Sequence, residues 1–101
     1  MNQLRIIAGQ WRGRKIQFVD QEGLRPSPDR VRETLFNWLQ NIIHNAHCLD
    51  LFSGSGALAF EAASRGAKSV SCLELNREAC DCIQKNIETL DAKQISLRQG
   101  D

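Results

Sequence analysis

Long apolar runs are missing from this 101-residue chain. No stretch reaches the roughly 18 residues that a membrane-crossing helix needs, and the first residues lack the continuous apolar segment of a secretory signal. Both absences point to the cytoplasm and away from a membrane partner. Proline occurs only at Pro26 and Pro28, and no internal repeat, low-complexity tract or linker is visible. Cysteine is sparse, at Cys48, Cys72, Cys80 and Cys82. The first two fall in apolar, strand-like runs, where cysteine behaves as a small hydrophobe. Cys80 and Cys82 lie two apart on an expected helix, so they project to different faces and make poor co-ligands. Reduced thiols and no metal site are therefore expected.

What is present is the make-up of a soluble globular chain, 42% hydrophobic and 25% charged. The length allows at most one domain, a short one for an α/β fold. A net charge of +1 hides an asymmetry: residues 1–32 hold seven bases against three acids, and residues 33–101 hold six against nine. The basic end is a candidate surface for a polyanion, because Lys and Arg neutralising phosphates supply most nonspecific nucleic-acid affinity.

Periodicity sets out the elements. Leu4–Ala8 and Lys15–Val19 are short β-type runs flanking Gly9 and Gly13, a small ribbon with the basic tip Q-W-R-G-R-K. Gly23–Pro28 is a loop. Ser27 as N-cap, Pro28 at the first helical position and Asp29 in the first turn open a helix to about Ile43. Its apolar stripe is Val31, Leu35, Trp38, Leu39 and Ile42. His47–Phe52 is the first strand of a main sheet, and Gly56–Arg65 a helix stopped by Gly66. Ser69–Leu73 is the second strand. Asn76 caps a helix over Arg77–Leu90, with Ala79, Cys80, Ile83, Ile87 and Leu90 on one face, and Gln94–Arg98 is the third strand. The alternation predicts an α/β fold with a parallel sheet and right-handed crossovers.

Chemistry concentrates in two segments, C-L-D-L-F-S-G-S-G-A (Cys48–Ala57) and V-S-C-L-E-L-N (Val70–Asn76). A strand ends in a Ser/Gly turn that lets the backbone approach a ligand, and the turn opens a helix whose N-terminal amides carry partial positive charge. Glu74 ends the next strand, where its carboxylate can accept from ribose hydroxyls. Gly54-Ser55-Gly56-Ala57-Leu58-Ala59 also satisfies the dinucleotide pattern G-x-G-x-x-G/A, so a nicotinamide or flavin cofactor competes. Asp50 discriminates. A carboxylate near the turn disfavours a pyrophosphate but suits the sulfonium and ammonium charges of S-adenosylmethionine.

D-x-F-x-G-S-G followed by an acid-ended strand resembles the class I methyltransferases. Further upstream, R-I-I-A-G-Q-W-R-G-R-K-I and L-R-P-S-P-D-R-V-R-E-T-L-F-N-W-L resemble the bacterial 16S rRNA guanine-N2 methyltransferases, the RsmD-like group. The resemblance runs from Leu4 to Glu74, with Ser27 where that family often has Thr. It implies an N-terminal β-ribbon and helix followed by the first half, strands one to three, of a Rossmann-like methyltransferase sheet. Residues 1–28 would form the basic ribbon and loop, and 29–101 the helix plus the N-terminal half of that domain. The implied cofactor is S-adenosylmethionine, with Asp50, Phe52, Ser53, Gly54, Ser55, Gly56, Glu74, Leu75 and Asp101 around it. The implied partner is 16S rRNA or the small ribosomal subunit, methylated at the exocyclic N2 amine of a guanine.

For RNA the candidates are Arg5, Trp11, Arg12, Arg14, Lys15, Arg25, Arg30 and Arg32. Trp11 can stack on a base or pack on the next strand, and the helix arginines can instead pair with Asp29 and Glu33. His44 and His47 are expected to be surface residues. The Asn/Asp-Pro-Pro-aromatic segment that supplies amine acceptors in such enzymes does not occur in these residues, so no catalytic residue is assigned. These 101 residues alone are expected to be inactive, with an exposed strand edge around Cys48–Phe52 prone to self-association. The alternatives are an adenine-N6 DNA methyltransferase, a nonenzymatic RNA-binding module and a dehydrogenase-like dinucleotide binder.

Overall fold

The computed structural model describes residues 2–19, 28–51 and 53–100. Strands β1 (Asn2–Arg5) and β2 (Lys15–Phe18) pair antiparallel, with Leu4 opposite Ile16. Helix α1 (Asp29–Leu39) leads to β3 (His47–Leu51), α2 (Ala57–Ser64), β4 (Ser69–Glu74), α3 (Arg77–Leu90) and β5 (Ile95–Gln99). The last three strands form a parallel sheet in the order β3-β4-β5. The α/β architecture and the three-strand parallel half-sheet are those anticipated from periodicity.

Strand register explains the layering. Cys48, Val70 and Ile95 form one row across the sheet, and Asp50, Cys72 and Leu97 the next. These side chains share a face, because successive residues of a strand alternate sides. α2 and α3 cover that face, burying Val70, Cys72 and Ile95 with Phe60 and Ile83. The opposite face carries Leu49, Leu51, Ser71, Leu73, Ser96 and Arg98 around an open hollow of about 420 Å3. Leu49 is 68% exposed and Leu51 54%. Among the described residues no strand pairs with the outer edge of β3.

Local chemistry sets the element ends. Asn76 Oδ1 accepts from the Ala79 amide at 2.9 Å, the side-chain cap expected for α3. Gly66 follows α2 with φ +103°, donating its amide to the Ala63 carbonyl. At α1 the N-cap is Pro28 itself, without a side-chain cap bond. The helix opens at Asp29, one residue later than the expected Ser27 cap with Pro28 at the first helical position; Ser27 lies outside the described residues.

α1 departs from its expected face. Val31, Trp38 and Ile42 are exposed, Trp38 at 79%, and only Leu35 and Leu39 of the stripe are partly buried. The inward residues are Arg32, Phe36 and Ile43, and the helix ends at Leu39 before turns that reach Ile43. The buried arc therefore runs through Arg32, Leu35, Phe36 and Leu39, a normal helical spacing with one charged member. That charge finds its partner in Glu61, on α2.

Candidate functional site

Two regions bear chemistry: the turn between β3 and α2, and the cationic ribbon. At the turn, Gly54 and Gly56 both take positive φ, +59° and +81°. A Cβ at Gly56 would stand 3.0 Å from the Phe60 ring, so glycine serves both the backbone and the packing beneath it. The turn is closed by its own bonds. Glu74 Oε1 accepts from the Gly54 amide at 2.6 Å and Oε2 from the Asn76 amide at 2.8 Å. The Gly56 amide donates to the Ser53 carbonyl, the Ala57 amide to Ser55 Oγ, and Ser53 Oγ to the Asp50 carbonyl.

Glu74 is thus buried and braces the turn, where the sequence suggested a carboxylate free for ribose hydroxyls. Each of its oxygens has a second lone pair. Asp50 lies on the same face of the sheet, and its Oδ2 is buried with no hydrogen-bond partner among the described residues. Burial raises its carboxyl pKa above the ordinary 3.8; the Ser53 side chain opposes this, and the Glu74 charge adds to it. Cys72 beside them is pushed up to about 11, chiefly by burial. Leu75 is half exposed just beyond Glu74, and the Gly100 amide donates to the Glu74 carbonyl, which brings the end of β5 to the same rim. Asp50, Ser53, Gly54, Ser55, Gly56, Glu74 and Leu75 therefore come together at the ends of β3 and β4. Phe52 and Asp101 lie outside the described residues.

The ribbon candidates divide. Arg5, Arg12, Arg14 and Lys15 are exposed, as is Arg30 on α1, whereas Arg25 lies outside the described residues. Trp11 and Arg32 are corrections. Trp11 is buried in the core with Leu4, Ile6 and Ile16, the packing alternative, and offers no face for stacking. Arg32 is fully buried, donating to Glu61 Oε1 at 3.2 Å and to the Arg5 carbonyl at 3.1 Å, and it pairs with Asp29. Neither side chain is available to a nucleic acid.

Sequence reasoning missed the group that holds these regions together. Glu61, fully buried in α2, accepts from the Ile7 and Ala8 amides at 2.9 and 3.1 Å, from Arg32, and from Arg65 Nε at 2.8 Å. Arg65 also lies over the Phe36 ring, 5.2 Å from its centre. One turn on, Ser64 Oγ accepts from the Trp11 amide and donates to the Ala8 carbonyl, while its own carbonyl accepts from the Gln10 amide. Gly9 sits so close that a Cβ would fall 2.0 Å from the Ser64 oxygen. The available signal was Glu61 itself, a lone acid in the apolar helix A-L-A-F-E-A-A-S. A charge there demands a buried cation.

Comparison with known proteins shows the family. A family model described as conserved hypothetical protein 95 matches residues 4–101. The chain belongs to that family. The ribosomal RNA small subunit methyltransferase D of Haemophilus influenzae is 57% identical over 88 residues, 87% of this chain and 46% of that protein. The Escherichia coli K12 enzyme of the same name is 56% identical over 90 residues, covering 89% and 46%. The solved structure of Escherichia coli yhhF, named provisionally as a methyltransferase, superposes with a TM-score of 0.91 at 47% identity, over 99% of this chain and 54% of its own. The RsmD-like resemblance of the N-terminal motifs is thus upheld. The chain spans about half the length of the curated relatives it matches.

Proposed function

We propose that this chain is the cofactor-binding half of a cytoplasmic, S-adenosylmethionine-dependent methyltransferase that modifies the exocyclic N2 amine of a guanine in small-subunit 16S rRNA. The observation that carries the cofactor assignment is the buried Asp50 oxygen, unpartnered among the described residues, beside a turn in which the Ser53, Gly54, Gly56 and Ala57 amides already have internal acceptors. A pyrophosphate needs free turn amides and no adjacent carboxylate. At this turn Gly54, Gly56 and Ala57 have internal acceptors, and Asp50 and Glu74 supply negative charge. A cationic ligand with a ribose suits that donor set better. The names of the family relatives support the rRNA substrate.

In this reading Asp50 faces the cationic end of the ligand, the remaining lone pairs of Glu74 receive ribose hydroxyls, and Ser53, Ser55 and the glycines shape the approach. Phe52, Leu75 and Asp101 belong to the same rim by resemblance. When bound, S-adenosylmethionine supplies a methyl group already activated on a sulfonium. The exposed Arg5, Arg12, Arg14, Lys15 and Arg30, with Arg25 from the loop outside the described residues, hold RNA phosphates and so fix where the target base is presented. Such positioning supplies much of the rate in a displacement of this kind. The β3 edge, unpaired among the described residues, with the open Leu49 and Leu51 face adds a second element to the proposal: the isolated chain self-associates there.

Calorimetric titration of S-adenosylhomocysteine and of NAD into the chain and its Asp50→Asn and Glu74→Gln variants tests the cofactor. The expected result is homocysteine-adduct binding weakened about tenfold or more by either change, with no NAD binding. NAD binding would overturn the assignment. Should neither ligand bind these residues, the same titration on a protein of the relatives' length decides it.

A further inference from the structure

α3 takes no part in the RNA surface described above, yet it forms one wall of a polar cleft beside the ribbon. The cleft, about 260 Å3, opens between Lys15 and Gln17 of β2 and Lys85, Glu88 and Thr89 of α3. Asn86 fixes the two walls. It is buried, its Nδ2 donates to the Gln17 carbonyl at 2.7 Å, and its Oδ1 accepts from the Gln17 amide at 3.2 Å. The helix thus reads the strand edge as a neighbouring strand would, and the cleft cannot widen without breaking both bonds.

The lining selects a ligand class. Lys15 and Lys85 are exposed and form no ion pair among the described residues. Glu88 is the one acid in the described lining, and Asp81, a turn before Lys85 on α3, does not reach it as an ion pair. The cleft is therefore net cationic. It is smaller than the roughly 300 Å3 at which pockets for whole small molecules begin. Its described lining also holds no aromatic ring to stack a base. A compact anion fits, and Lys15 already belongs to the ribbon's cation track.

We infer that this cleft seats a backbone phosphate of the RNA strand held by the ribbon, with Lys85 carrying the track from β2 onto α3. The inference rests on the RNA reading above and adds a residue and a helix to it. With Trp11 buried, ribbon and cleft together grip phosphates without reading bases, so their contribution is independent of sequence.

The test measures the affinity of this chain for a single-stranded RNA of small-subunit sequence and for a scrambled RNA of equal length, from 50 to 200 mM salt. Lys85→Ala should reduce the magnitude of the log–log salt slope by about 0.7 on both RNAs, which shrinks the affinity ratio across that range about threefold. Lys93→Ala, a change at an exposed lysine beside Asp91 and outside the cleft, should leave the slope unaltered. An unchanged slope in Lys85→Ala, or an equal loss in Lys93→Ala, would overturn the inference while leaving the RNA reading intact. Failure of the unaltered chain to bind either RNA would refute that reading and the inference with it.

Discussion

The two faces of the three-stranded sheet are built from similar strands and have opposite fates. On one, Val70, Cys72 and Ile95 are closed under α2 and α3; on the other, Leu49 and Leu51 stand open. Parallel strands are normally apolar on both sides because crossover helices cover both. Here the two right-handed crossovers that join β3, β4 and β5 both fall on one side, since the strands follow one another in a single direction across the sheet. Covering the other side requires a reversal of strand order, and hence more polypeptide than these elements contain. The open face is what an α/β sheet leaves bare when it is wound on one side.

The contrast can be broken most sharply from the covered side. Glu61→Ala would leave the fully buried Arg32 without that carboxylate and strip the Ile7 and Ala8 amides of their acceptor. The expected loss is about 3–5 kcal/mol in urea unfolding, a large part of a small domain's stability. On the open face, Leu49→Ser with Leu51→Ser should change unfolding by under about 1 kcal/mol, because both side chains already meet water. The same pair should lower the mass seen by light scattering if the bare face and the β3 edge drive association. A monomer before mutation would remove that expectation.

A third effect, read against pH, is expected at Asp50 on the covered face. Because the folded Asp50 carboxyl has a raised pKa, its contribution to stability is fully present below the ordinary 3.8 and is lost as pH rises through the folded value. Asp50→Asn removes that loss. The variant should match the parent in acid and exceed it in urea midpoint above the carboxylate range, while binding the adenosyl ligand less well. A constant difference across pH would show that Asp50 is not titrating in this way. A stability gain paired with a binding loss is the pattern of a group kept for function.

Much of this was legible in the residues. The Ser/Gly turn, the acid ending β4, the Asn76 cap and the Gly66 stop depend on neighbours within a few positions, and each lies where local sterics require it. Phe36 and Arg32 as the inner face of α1 were not legible, because binary patterning counts an arginine as outward-facing. The sequence reading of Trp11 left two outcomes open, and packing took it because the loop over residues 7–11 is pinned to Ser64 and Glu61. Glu74 was correctly placed at the strand end, but its engagement with the Gly54 amide depends on how β3 and β4 stand side by side.

By itself, then, the chain's sequence determined its elements, their order and the position of the Ser/Gly turn, which follow from hydrogen bonding and steric limits between residues close in sequence. The parallel half-sheet was legible only through the rule that alternating strands and helices wind that way. Only the tertiary structure decided which face of α1 turns inward, which cations remain free for a polyanion, and that Lys15 and Lys85 share a cleft. Those outcomes hang on partners far apart in the chain, such as Arg32 with Glu61 and Gln17 with Asn86. A buried charge or amide must find its complement wherever the fold brings one.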